Sequence, residues 1–119
     1  MATDDDSSPP TTPGPRRRGS KTIPGVTLDD HGAVIDHDIE IQCRAAFANV
    51  RAVLEDAGSS WERIVDVTVF LTDMQRDFPV FNRVYAEAFA ANRPARTTVE
   101  VTRLPTPIAI ELKVIATID

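Results

Sequence analysis

The sequence predicts an α+β domain in which two helices cover one face of a β-sheet. Two segments repeat apolar residues every three or four positions, as helices with one buried face do. Three other segments are short, apolar and rich in branched side chains, as strands are. These segments follow in the order helix, strand, helix, strand, strand, and two helices can pack together on one face of such a sheet.

The first 20 residues differ in composition from the rest of the chain. Residues 1–20 are mostly Asp, Ser, Thr, Pro, Gly and Arg. Such a segment cannot bury enough apolar surface to offset the entropy lost on ordering. We therefore expect a disordered tail over residues 1–20 and one domain over residues 21–119. Two short strands, Val26–Leu28 and Ala33–Ile35, are expected to flank a turn at residues 29–32.

The first predicted helix runs from Ile39 to Ala57. Asp38 has the side chain of an N-cap, and Gly58 suits the position after the helix end. Cys43 lies on the apolar stripe, with no histidine near it in the pattern. We interpret it as a small core residue and not as a catalytic thiol.

A helical turn and a strand follow. Residues 59–62 have the spacing of a capping box, and Trp61 is expected to pack at that corner. Residues 64–71 form a predicted strand with bulky apolar groups on both faces, so we expect both faces to be covered. Strict alternation places four of its residues on one face: Val65, Val67, Val69 and Leu71.

The second predicted helix runs from Phe78 to Ala91, with Asp77 as N-cap and Pro79 in the first turn. Two further strands are predicted at residues 96–101 and 108–118. The second of these carries Glu111 and Lys113 on the face opposite its apolar stripe.

Composition excludes several classes of function. The chain has 119 residues and a net charge of −5, which favours one domain and argues against binding of duplex nucleic acid. One cysteine rules out an intrachain disulfide, and with two histidines it argues against a zinc site. No apolar run reaches the roughly 20 residues of a membrane span. Neither a secretory signal nor a transit peptide is recognisable, so a cytoplasmic location is expected.

The most informative stretch is residues 94–101, Pro-Ala-Arg-Thr-Thr-Val-Glu-Val. Arg96 stands where a proline-ended helix gives way to a strand, and two threonines follow it. A guanidinium binds a carboxylate bidentately and never loses its charge. Arg96 is therefore a candidate receptor for a small carboxylate, while an ordinary surface arginine is the alternative interpretation.

A longer ordered set of segments resembles the Rid/YjgF family of enamine and imine deaminases. The similarity extends from Asp38 to Ile118. The segments that carry it are Ile41-Gln42, residues 47–50, residues 53–58, residues 67–74, residues 81–85, residues 94–99 and Ile110-Glu111.

The resemblance implies a trimeric α+β fold, shared with trimeric chorismate mutases, with ligand sites in the clefts between subunits. It implies that Arg96 binds the carboxylate of a 2-imino or 2-enamino acid and that the backbone of Thr98 contacts the same substrate. Glu111 would activate the attacking water, giving a 2-keto acid and ammonia. Asn82 would support substrate binding, whereas Tyr85 falls on the apolar stripe and is expected in the core. No metal or organic cofactor is implied.

The chain departs from the family at its start. Members usually begin with a hairpin that carries a Gly-Pro-Tyr-type segment, and its tyrosine lines the site. Here Gly14-Pro15 is followed by Arg16-Arg17-Arg18 with no tyrosine, and too few residues lie between this segment and the first helix for both strands of the family's hairpin. We therefore expect an N-terminus that is either shortened or divergent and a site that lacks one wall.

Three classes of function stay open from the sequence. The first is a deaminase, and the residue style of Thr97-Thr98 and of residues 104–108 is similar to that of 2-aminomuconate deaminases. The second is a trimeric protein that binds carboxylates without turnover. The third is an interaction protein that modulates translation or cleaves RNA, although the acidic composition counts against a ribonuclease.

Overall fold

The computed structural model describes residues 23–118. The predicted disorder of residues 1–20 and three residues of the predicted domain, 21, 22 and 119, lie outside this range. The described elements are, in chain order, β1 (Val26–Leu28), β2 (Val34–His37), α1 (Ile39–Asp56), a 3-10 helix (Trp61–Arg63), β3 (Ile64–Leu71), α2 (Met74–Ala88), β4 (Ala95–Glu100) and β5 (Ile110–Ala116).

The main sheet has three strands in the order β4-β3-β5. Strand β3 pairs with β4 in parallel and with β5 antiparallel. Helices α1 and α2 pack with the apolar residues of one face of this sheet into a single core. The α+β architecture predicted from the sequence is therefore confirmed.

Strands β1 and β2 form a separate antiparallel hairpin. Its turn is built by Asp29, whose Oδ1 accepts the backbone N–H groups of His31 and Ala33 at 2.8 and 2.9 Å. Gly32 has φ 82°, a conformation that favours glycine. The prediction was right for β1, whereas β2 begins one residue later than expected and extends to His37.

Helix α1 begins and ends almost where the sequence predicts. The Asp38 side chain accepts the Ile41 N–H at 3.1 Å, so it is the N-cap. The helix ends at Asp56, and Gly58 has φ 84° at the predicted position after the end. Cys43 is fully buried, and its burial raises the pKa of the thiol to about 12. A buried protonated thiol is a poor nucleophile, which supports the structural interpretation.

The predicted start of helix α2 was wrong. The helix begins at Met74, one turn before the predicted Phe78, and ends at Ala88 instead of Ala91. Asp73 is the N-cap, and its carboxylate accepts the Arg76 N–H at 3.0 Å. The predicted cap Asp77 is buried inside the first turn. Two extra contacts support that turn: the Met74 N–H donates to Glu100 Oε1 at 2.8 Å, and the guanidinium of Arg76 pairs with Asp77.

Pro79 therefore lies inside α2 and not in its first turn. A proline at this position has no N–H to donate to the preceding turn. The helix continues through it because apolar side chains on both sides of Pro79 pack against the core, including the fully buried Phe81 and Val84.

Strand β3 is the centre of the sheet. Three of its side chains on the helix face, Val67, Val69 and Leu71, are completely buried. A register irregularity between Ile64 and Asp66 makes Val65 an extra residue in the strand. Strict alternation is broken there, so the prediction for Val65 was wrong: it is 49% exposed.

The other face of the sheet is not covered by any residue in the range 23–118. Thr68 and Phe70 on this face are half-buried, and the side chain of Ile115 on β5 is exposed. Among residues 23–118 nothing covers this face, and no strand pairs with the outer edge of β4 or of β5. The predicted cover on the second face of β3 is not supplied by the described part of the chain.

Trp61 packs at the corner between α1 and β3, as predicted. Its indole N–H donates to the Ala88 carbonyl at 3.0 Å, and its ring stacks on Phe89 at 4.6 Å. The turn predicted at residues 59–62 is a short 3-10 helix. Its N-cap, Ser60, forms no side-chain capping bond, so the predicted capping box is absent.

No helix within residues 23–118 is both long enough and apolar enough to cross a membrane.

Candidate functional site

Arg96 lies on the edge strand β4 and faces helix α2. In the parallel ladder it pairs with Val67, whose side chain is buried beneath the helices. Its guanidinium therefore reaches into the space between the sheet and α2 at the open side of the molecule. A cavity of about 410 Å³ opens at this place, and Arg96 forms part of its wall.

Helix α2 holds the guanidinium in position. The Nη1 of Arg96 donates to Asn82 Oδ1 at 2.9 Å. Its Cζ lies 4.6 Å from the ring centre of Tyr85, 5.5 Å from Phe81 and 5.8 Å from Phe78. Three aromatic rings and one amide thus orient a cation whose other nitrogens have no described partner. Such cation–π contacts contribute on the order of 0.5–2 kcal/mol each, depending on desolvation.

Thr98 presents its backbone beside Arg96 at the same edge. The N–H of Val101 donates to the Leu71 carbonyl at 2.8 Å, so residue 101 points its backbone groups toward β3. Backbone direction alternates along a strand. The N–H groups of Arg96 and Thr98 therefore point away from β3, toward the unpaired edge. A ligand at this edge has a guanidinium and a free backbone donor within reach.

Two buried hydroxyl groups in this region have no hydrogen-bond partner: those of Tyr85 and Thr98. Burial raises the pKa of the Tyr85 phenol, and the positive charge of Arg96 acts in the opposite direction. An unpaired buried hydroxyl costs about 1–3 kcal/mol. Tyr85 lines the cavity, so its unpaired hydroxyl is a candidate for a contact with a ligand or water.

Glu111 lies on the opposite, open face of the sheet. It pairs with Phe70 on β3, and β5 is separated from β4 by the width of β3. Two strand spacings correspond to about 10 Å, and the two side chains leave the sheet in opposite directions. One chain therefore brings Arg96, Asn82 and Thr98 together but does not bring Glu111 to them. Glu111 is exposed and forms no ion pair with Lys113 or any other residue in the described range.

The described residues contain no grouping of three or more His, Cys, Asp or Glu side chains that could hold a metal ion. The charged residues that line the cavity are instead two arginines, Arg93 and Arg96, and guanidinium groups recognise anions.

Comparison with known proteins identifies the family. The sequence profile of the family described as Endoribonuclease L-PSP, also called YjgF or Rid, matches residues 22–118. The chain belongs to the Rid family. The RutC family protein PH0854 of Pyrococcus horikoshii is 46% identical over 85 residues, which cover 71% of this chain and 67% of that relative. The chain thus spans about two thirds of that Rid protein.

Two other Rid proteins carry more informative descriptions. A protein of Salmonella typhimurium named 2-iminobutanoate/2-iminopropanoate deaminase is 37% identical over 94 residues, which cover 76% of this chain and 73% of that protein. The crystal structure of E. coli TdcF with bound serine superposes with a TM-score of 0.65 at 34% identity, covering 82% of this chain and 79% of TdcF. The resemblance of the sequence to the Rid family and the α+β fold of the single chain that this implies are confirmed, while the trimer stays a prediction.

The structure adds residues that the sequence interpretation did not place at the site. Tyr85 is part of the core, as predicted, but its ring also covers the guanidinium of this Rid protein and lines the cavity. A spacing of three places Tyr85 on the same side of α2 as Asn82, which was a usable signal. Arg93 also lines the cavity, and no motif indicated it.

Proposed function

We propose that this protein is a hydrolytic deaminase that converts small 2-imino or 2-enamino carboxylic acids to 2-keto acids and ammonia. The observation that carries the proposal is the held guanidinium of Arg96 beside a cavity, with nitrogens available for an anion. The name of the Salmonella relative supports the same reaction class.

Arg96 would bind the carboxylate of the substrate. The contact to Asn82 and the surrounding rings restrict its rotation, so little side-chain entropy is lost when a ligand binds. The outward N–H of Thr98 would donate to the same carboxylate. Together these groups would fix the orientation of the adjacent C=N bond, which is where positioning lowers the barrier.

Glu111 would act as the base for the attacking water. Water adds to the imine carbon as Glu111 takes one of its protons, and that proton then passes to the nitrogen. In the resulting carbinolamine the hydroxyl proton moves to the NH2 group, through Glu111, so that the C–N bond breaks and ammonia leaves as the C=O bond of the keto acid forms. One water enters and one ammonia leaves, so the reaction needs no oxidant and no cofactor.

For Glu111 to act on a substrate that Arg96 binds, the site must contain residues from more than one copy of the chain. Within one chain Arg96 and Glu111 lie on opposite faces of the sheet, too far apart to share a small substrate. We propose a homotrimer in which the open face of one chain meets the edge of another, so that each site takes Arg96 and Glu111 from different copies. The apolar groups on that face, such as Phe70 and Ile115, favour burial in such a contact.

The identity of the substrate and the location in the cell are predictions from the sequence. The similarity of residues 97–98 and 104–108 to 2-aminomuconate deaminases leaves that substrate as a prediction. The expected cytoplasmic location also stays a prediction. A second candidate is a carboxylate-binding protein without turnover, because residues 23–118 of a single chain provide the guanidinium and the cavity but no base beside them.

An ammonia-release assay tests the function. Short 2-imino acids are generated in place from amino acids by an amino-acid oxidase, and ammonia release is followed with and without the protein. We expect faster release with the wild type and little with Glu111→Gln, which keeps the shape of the side chain and removes the base. Binding of 2-keto acids without faster release would support the carboxylate-binding protein. Neither binding nor turnover would favour an interaction protein that modulates translation.

A further inference from the structure

A second arginine lines the cavity beside Arg96. The two arginines that line it, Arg93 and Arg96, stand three positions apart with Pro94 between them. Arg93 is exposed and forms no ion pair with any residue in the range 23–118. Since Asn82 and the rings of α2 already hold Arg96, Arg93 is the cation here that is free to bind a second group.

The remaining walls of the cavity are apolar. Tyr85 and Phe89 present two rings whose centres lie 4.4 Å apart, and Ala86 and Ala90 leave room on the same helix. A volume of about 410 Å³ lies in the lower range of small-molecule pockets. These walls suit a short hydrocarbon segment between the two cations.

The charge of the cavity is opposite to that of the chain. The sequence has 18 acidic and 13 basic residues, yet the cavity lining has two arginines and no carboxylate. Two guanidinium groups repel each other when water is displaced between them. A ligand with an anionic group at each end removes this repulsion, whereas a ligand with one carboxylate leaves the second charge unpaired.

We propose that the site selects a 2-imino or 2-enamino dicarboxylic acid. The carboxylate next to the imine carbon binds Arg96, the hydrocarbon segment lies against Tyr85 and Phe89, and the distal carboxylate binds Arg93. This inference rests on the proposed function for the identity of the reacting group. The assignment of Arg93 as the residue that determines specificity stands on the cavity itself.

Binding of two keto acids tests the assignment without any need for turnover. Calorimetry is used to compare 2-oxoglutarate, which has two carboxylates, with 2-oxobutanoate, which has one. For the wild type we expect the dicarboxylate to bind about tenfold more tightly or better, because it gains one charge-assisted contact. Arg93→Gln should bring the two affinities to the same value. Arg103→Gln is the matched control: it removes the same charge from an exposed loop outside the cavity and should keep the wild-type ratio.

Every outcome decides the inference. Equal affinities in the wild type, no binding of either acid, or an Arg93→Gln variant that weakens both acids by the same factor would each overturn it. A lost preference in Arg103→Gln would overturn it as well, because the effect would then be one of net charge. If the wild type releases no ammonia from any imine, the proposed function fails, while the ratio of affinities still reports on Arg93.

Discussion

The two helices cover the same face of the sheet, but the buried polar groups near Gln42 on α1 and near Arg96 beside α2 differ in how completely they are hydrogen-bonded. On the α1 side, Gln42 is buried and fully bonded. Its Oε1 accepts the Ala109 N–H at 2.8 Å, and its Nε2 donates to the Gly25 carbonyl at 2.9 Å and to His37 Nδ1 at 2.8 Å. This one side chain therefore joins the hairpin, α1 and the segment that leads into β5.

On the α2 side, the buried hydroxyls of Tyr85 and Thr98 have no partner, and the guanidinium of Arg96 is only partly bonded. Buried polar groups are usually paired, and those that are not need a reason. The difference is limited to two places: around Gln42 the buried polar groups are paired and stabilise the fold, whereas around Arg96 some are unpaired, and we propose that these contact a ligand. The following predictions test this contrast, from the largest expected effect to the smallest.

Arg96→Lys should lower kcat/KM for imine hydrolysis by about 100-fold, which is about 2.7 kcal/mol. Lysine keeps the charge but loses the planar pair of donors that Asn82 and a carboxylate can share. The melting temperature should change little. Steady-state kinetics and thermal unfolding measure both, and Arg103→Lys is the control. Near-normal turnover in Arg96→Lys would contradict the carboxylate-binding role.

Gln42→Ala should destabilise the fold by about 2–3 kcal/mol, because it leaves the N–H of the fully buried Ala109 without a partner and removes one of the two hydrogen bonds that the Gly25 carbonyl accepts. Urea unfolding measures the change, and Gln75→Ala, at an exposed position of α2, is the matched control. A loss below about 0.5 kcal/mol would show that the α1 side does not depend on this residue.

The thiol of Cys43 should make stability fall at high pH. Burial raises its pKa from 9.0 to about 12. A group whose pKa is raised on folding stabilises fully below the unfolded value, and this stability is lost as pH rises toward the folded value. Between pH 9 and 12 the loss should be on the order of 1 kcal/mol per pH unit. Urea unfolding of the wild type and Cys43→Ala at several pH values measures it, and an identical slope in both would contradict the burial effect.

Tyr85→Phe should have the smallest effect on stability, between no change and a gain of about 1 kcal/mol, because it removes a buried hydroxyl without a partner. Thermal unfolding checks this in the absence of ligand. A loss above about 1 kcal/mol would mean that the hydroxyl has a partner in the free protein.

Local signals in the sequence were sufficient for α1 but not for α2. Helix α1 has a regular apolar stripe between Asp38 and Gly58, and both ends were predicted within one residue. For α2, Asp77 and Pro79 have the residue types that are typical of an N-cap and of a first helical turn, although both lie inside the helix. The actual first turn has a local N-cap in Asp73, and it is also held by Glu100, which is 26 positions away from Met74 in sequence and cannot be inferred from the local pattern.

The candidate site was predictable only in part. Arg96, Asn82 and Thr98 belong to recognisable segments, and the structure brings them together. The ring of Tyr85 above Arg96 and the place of Arg93 in the cavity depend on how β4 lies beneath α2. The separation of Arg96 from Glu111 depends on strand order, because β3 lies between β4 and β5. The alternation of apolar and polar residues along one strand predicts which face each side chain is on, but it does not predict the order of the strands in the sheet.

The central claim is that Arg96 and Glu111 act together from different copies of the chain. Co-expression of Arg96→Lys with Glu111→Gln tests it directly, since each variant alone should be almost inactive. In mixed trimers with random assortment, about one site in four would combine a wild-type Arg96 with a wild-type Glu111 from its neighbour. We predict ammonia release near that fraction of wild-type activity, together with a trimeric mass by light scattering. Activity no higher than that of the separate variants, or a monomeric mass, would contradict the account.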